Sequence, residues 1–134
     1  MLDVAIAEAA ARLATADDVD SLRELVDETV AASGAGDEER ALQADLQFHR
    51  RLNTIVDNPV FYLLHDGLSH VLHQELTERR KRAAELEPTA PAKTRVIDTV
   101  HYGIVEAIAE RDSEGARIAM RRHFEVWSSL TGSP

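Results

Sequence analysis

The sequence predicts an all-α fold, and three observations carry that reading. Apolar residues recur three and four apart along almost the whole chain, as one buried face of a helix requires. Runs of β-branched residues are missing, and aromatic residues make up only 4% of the composition, so strands have little to build on. Capping and breaking residues then divide the pattern into about six helices.

The first helix covers about residues 2–14, with Leu2, Ile6, Ala9 and Leu13 on its inner side. Thr15-Ala16-Asp17-Asp18 reads as a turn and capping box, because a hydroxyl followed three residues later by an acid satisfies two orphan amides at once. It opens a second helix with Leu22, Leu25, Val26 and Val30 inward, which Ser33-Gly34-Ala35-Gly36 ends. A third helix, about 37–56, carries the stripe Leu42, Asp45, Leu46, His49, Leu52, Asn53 and Val56. Asn58 as N-cap and Pro59 at the first helical position start a long fourth helix to about residue 86, its inner face Phe61, Leu64, Leu68, Leu72 and Leu76. The proline-bearing stretch 87–91 breaks the chain. A fifth helix, about 92–111, turns Ile97, Val100, His101, Ile104 and Ile108 inward. Asp112-Ser113-Glu114-Gly115 caps a sixth, whose stripe is Ala116, Ala119, Met120, His123, Trp127 and Leu130.

At 134 residues the chain is expected to form one domain, 1–134, with a core of its own. Its 44% hydrophobic and 29% charged residues are those of a globular protein, and no apolar run approaches the roughly 20 residues of a membrane span. Asp3 stands where a signal peptide would want a base, which makes a cytoplasmic location the expectation. With no cysteine, any metal must be held by nitrogen and oxygen. A net charge of −9 argues against direct nucleic-acid binding, since neutralising phosphates takes a basic face. The one basic run, Arg79-Arg80-Lys81-Arg82, reads as a solvated end of the fourth helix that complements its dipole.

Against this ordinary background, Asp45, His49, His101 and His123 each fall on a stripe that is otherwise apolar. The i to i+4 spacing of Asp45 and His49 brings a carboxylate and an imidazole to one helix face. A buried polar group without a partner costs about 1–3 kcal/mol, so a core with these groups must satisfy them jointly. One divalent cation does this. Three neutral imidazoles and a carboxylate suit Zn, Ni, Co, Mn or Fe, and an octahedral ion keeps positions open for a ligand. The bland alternative is a set of hydrogen-bonded core histidines with an Asp–His helix pair. His70 and His73 flank the fourth helix's inner stripe and read as surface or pocket wall, and His65 has no role.

Asp45-x3-His49, then Asn58-Pro59, then His101, then Asp112 followed by Met120-Arg121-Arg122-His123, resemble the FCD ligand-binding domain of GntR-type bacterial transcription regulators. The resemblance runs from Ala9-Ala10-Ala11-Arg12-Leu13-Ala14 to His123. It implies an antiparallel bundle around a central cavity. In the family's metal-binding branch it implies a divalent ion on one Asp and three His, with a small carboxylate completing the coordination. Asp45, His49, His101 and His123 occupy all four matching positions. It also implies a homodimer that reads DNA through an N-terminal winged helix-turn-helix, which this sequence does not contain.

Two further residues are candidates for the effector: Asn53, one turn after His49, as a hydrogen-bond partner, and Arg79 as a carboxylate partner. Their bland counterparts are a satisfied core amide and a snorkelling arginine. A metal-dependent hydrolase or lyase is the competing enzyme reading. It lacks a His-Glu-x-x-His motif and a spare base, since Glu106 lies five residues past His101 and points elsewhere. A structural dimerisation bundle, with any ion only holding the core together, is the third.

Overall fold

The structure, a computed structural model, describes residues 2–86 and 95–131. Among these residues it is all helical, as expected, but with seven helices. They are α1 (Leu2–Leu13), α2 (Ala16–Gly34), α3 (Glu38–Val56), α4 (Pro59–Leu86), α5 (Val96–Thr99), α6 (His101–Ala109) and α7 (Ser113–Thr131). No helix of the described residues is long and apolar enough to cross a membrane.

Local chemistry sets most of the boundaries. The Thr15 hydroxyl accepts from the Asp18 amide at 3.1 Å while the Asp18 carboxylate accepts from the Thr15 amide at 2.9 Å, the expected capping box. Asp37 accepts from the Arg40 amide to start α3, and Asn58 accepts from the Val60 amide beside Pro59 to start α4. Asp112 caps α7 by accepting from the Gly115 amide at 2.9 Å. A Cβ on residue 115 would lie 2.3 Å from that carboxylate, so a larger residue there would make the Asp112 side chain shift. Asp57 and Arg111, both at positive φ, end α3 and α6 in the left-handed region.

The core runs through Ile6, Leu22, Val26, Phe48, Leu52, Ile104, Ile108 and Met120. Ala7, Ala10, Ala11 and Ala116 are fully buried and let α1 approach its neighbours closely. Packing joins α2 to α3, α1 to α7 and α3, and α6 to α7 and α2. The longest helix, α4, lies against α3 and α7.

Four expectations need correction. The single fifth helix is two, α5 and α6, parted at Val100. The His101 ring bonds the Asp98 carbonyl at 3.0 Å, which takes an acceptor that an unbroken helix would use. Leu64 and Leu13, read as inward, are exposed, while the inner face of α4 instead passes through Leu76, Arg80 and Ala83. The basic run at 79–82 is not wholly solvated, because Arg80 is buried. The side chains of Leu68, Leu72, Trp127 and Leu130, and residues 92–94 of the expected fifth helix, lie outside the described residues.

Candidate metal centre

Three helices bring the four stripe residues together. Asp45 and His49 come from adjacent turns of α3, His101 is the first residue of α6, and His123 lies mid-way along α7. All four are buried, at 2%, 7%, 3% and 1% exposure respectively. The Asp45 Oδ1 is 3.3 Å from the His49 Nε2 and 3.3 Å from the His101 Nε2. The His101 Nε2 is 3.1 Å from the His123 Nε2. Donors about 2.1 Å from one cation stand about 3.0–3.4 Å apart, so this spacing fits a shared ion. The ring nitrogens of His49, His101 and His123 lie within 4.8 Å of one another and could hold a metal ion.

The hydrogen-bond accounting points the same way. The Asp45 Oδ1 and the His49 Nε2 are buried with no hydrogen-bond partner, despite their proximity. Orphaned polar atoms that face each other in a core call for a common partner. Burial alone would raise the Asp45 carboxyl, but the His101 and His49 charges hold it well below the usual carboxylate range. For His49, burial pushes down and the Asp45 carboxylate outweighs it, leaving the imidazole above its ordinary value. Burial, reinforced by His101 and His49, pushes His123 well below its ordinary value, so it stands as a neutral lone-pair donor.

Around these four lies a second set that sequence reading missed. Arg80 of α4, 3% exposed, places Nη1 3.0 Å from the Asp45 Oδ2 and 3.0 Å from the Asp98 Oδ1. Asp98, fully buried in α5, also supplies the carbonyl that accepts from the His101 ring. Arg80 and Asp98 thus orient Asp45 and His101 from behind. Phe48 packs edge-on to the rings of His49 and His101, at 5.6 and 5.2 Å. The signal for Arg80 was its place four residues after Leu76, on the same helix face.

The other two candidates sit at the margin. Asn53 is buried, its amide reaching the His49 carbonyl at 3.5 Å while its Oδ1 has no partner. Arg79 donates to Glu75 at 3.0 Å, with its side chain 27% exposed, and its charge bears on His49 and His123. His73 is exposed, and Glu106 is exposed and paired with Arg23.

The family model for the FCD domain matches residues 1–126 of this sequence. The chain belongs to the FCD domain family. No curated protein matches it as a relative. FCD domains are the effector-binding domains of GntR-type transcription regulators, so this chain is a regulatory domain and not an enzyme. The metalloenzyme reading of the four donors is thereby set aside. The FCD frame also accounts for a buried metal-capable cluster in a chain that otherwise looks like a plain helical bundle.

Proposed function

We propose that this FCD domain senses a small carboxylate metabolite through a divalent cation held by Asp45, His49, His101 and His123. The observation that carries the reading is a buried core in which the Asp45 Oδ1 lies 3.3 Å from the His49 and His101 rings and the His101 Nε2 lies 3.1 Å from that of His123. All four side chains supply nitrogen or oxygen, a set that suits Zn, Ni, Mn, Co or Fe. When bound, the cation would supply a positive charge that an effector carboxylate can complete.

The chain's own residues do the rest. Arg80 holds the far oxygen of Asp45, Asp98 fixes the His101 ring, and Phe48 walls the imidazoles against water. Asn53 offers an unpaired carbonyl oxygen one turn from His49, and Arg79 adds positive potential beside the rings. Both are proposed to contact the effector.

In the full regulator, the domain is proposed to work as a cytoplasmic homodimer that reads DNA through a winged helix-turn-helix lying outside this chain. Effector binding would change operator affinity by favouring one dimer geometry over another, which requires different affinities for the two geometries.

The test is elemental analysis of the untagged chain beside an Asp45→Ala/His123→Ala variant, followed by thermal shift with sugar acids, hydroxy acids and dicarboxylates. About one divalent ion per chain, absent from the variant, with acid-dependent stabilisation that EDTA abolishes, is the expected result. A metal-free wild-type chain after exposure to all five ions would sink the reading and leave a histidine–carboxylate core network.

A further inference from the structure

The first half of α4 turns an apolar stripe away from the bundle. Val60, Leu63, Leu64 and Val71 are 44–74% exposed, and they are four of the seven large hydrophobic residues exposed among the described residues. At about 100° per residue all four fall within about 60° of Gly67 around the helix, and the buried Leu76 falls about 180° from it. The stripe therefore points directly away from the core. A Cβ on residue 67 would meet nothing within 4 Å, so bare backbone lies at its centre. From Pro59 to Gln74 the one acid or base is Asp66, about 100° off the stripe's centre, in a chain that is 29% charged.

We infer that this stripe is the contact surface for a second copy of the chain, the two α4 helices crossing antiparallel at Gly67. Two observations select a second copy. A two-fold dimer needs a self-complementary patch, and the stripe reads alike in both directions: Leu63 and Val71 stand four residues before and after Gly67, and Val60 and Gln74 seven before and after. The crossing sets Leu63 on the partner's Val71 and Val60 beside the partner's Gln74, with no charge to bury. The second observation is electrostatic. Each copy carries a net charge of −9, so identical chains repel over most of their surfaces and close most readily where ionised groups are absent. A basic partner is drawn to the acidic faces instead. Gly67 at the crossing lets the two axes come together at the short end of the helix-packing range of about 8–10 Å. The surface rests on the homodimer proposed above and gives it a contact face, but uses neither the cation nor the effector.

Sedimentation equilibrium of the untagged chain in EDTA tests this. The expected result is a reversible dimer in the micromolar range, as a small interface gives. Leu63→Glu sets a carboxylate against the partner's Val71 and should weaken the dimer about a hundredfold. Its circular dichroism should match wild type, because residue 63 is exposed in the single chain. Gly67→Leu wedges the helices apart and should weaken the dimer about tenfold. Adding Val71→Lys to Leu63→Glu places opposite charges across both symmetric contacts, which should restore the dimer to within about tenfold of wild type. A wild-type chain that stays monomeric at about 0.5 mM overturns the inference, together with a homodimer made through this domain, and leaves the stripe to a different occupant. A dimer that survives Leu63→Glu overturns the surface alone. Loss of the dimer in Leu63→Glu without rescue by Val71→Lys overturns the antiparallel crossing. Elemental analysis decides the metal reading separately, since EDTA is present throughout.

Discussion

The His123 Nε2 faces the His101 Nε2 at 3.1 Å, with both rings buried. Two neutral imidazoles cannot both point lone pairs at each other without cost, so a proton or a cation must lie between them. Burial holds His123 well below its ordinary value, so its ring is neutral, able either to share one N–H with His101 or to give a lone pair to a cation. His123→Phe should therefore raise the stability of the metal-free chain while abolishing metal uptake, as read by thermal melts with and without EDTA. A variant that still takes up one ion would remove His123 from the set.

Arg80 is the cation between two buried carboxylates. Arg80→Met leaves Asp45 and Asp98 facing each other without it, and should cost roughly 3–5 kcal/mol by urea unfolding. Adding Asp98→Asn should recover part of the loss. A full-stability single variant would show that the pair contributes little.

Phe48 is 1% exposed and touches both the His49 and His101 rings. Phe48→Ala is expected to destabilise the chain by about 3–5 kcal/mol. Phe48→Leu should cost far less yet weaken metal binding, since it fills most of the space without holding the rings edge-on. Equal metal affinity in Phe48→Leu and wild type would contradict that role.

The Tyr102 phenol is pushed up to about 12, first by burial and then by its hydrogen bond to Asp27. A raised value means the folded state keeps the proton longer than the unfolded chain. Its contribution is complete below the ordinary value of 10.0 and is lost as pH climbs toward about 12. Wild type should lose stability over this window more steeply than Tyr102→Phe in pH-resolved melts. Parallel curves would refute the coupling.

For the α1–α2 corner, Thr15→Ala should cost about 1 kcal/mol. The Asp18 carboxyl is held below its ordinary value chiefly by the Thr15 amide, opposed by desolvation and helped by the Thr15 hydroxyl and Arg51. Its stabilisation is present above the ordinary carboxylate range and is lost as pH falls through the lowered value. Asp18→Asn should accordingly be weaker than wild type at neutral pH and indistinguishable in strong acid, as acid titrations of the two would show.

Asp45, His49, His101 and His123 were legible because each interrupts an apolar stripe, and a stripe reports burial whatever residue occupies it. Capping at Thr15, Asn58 and Asp112 was legible for a similar reason, being decided within three or four residues. Arg80 was not, because the stripe on α4 had been phased on Leu64, which is exposed, and a run of four bases hides which one turns inward. The break at Val100 was invisible to periodicity, since it arises from a side chain competing for a backbone carbonyl. Asp98 shares that origin: what it does to His101, it does through its main chain.

The four donors are drawn from α3, α6 and α7, so residues 45 and 123 must both be in place before the cluster exists. Such a centre cannot nucleate folding, because the long loops joining its members must close first. With a metal bound it would serve instead as a check on assembly, since only a chain that has brought His101 and His123 to Asp45 and His49 could offer an ion all of these donors. A chain that misplaces α7 would go unrewarded by metal and remain the weaker species. Any cation captured there would report that α3, α6 and α7 had been brought together.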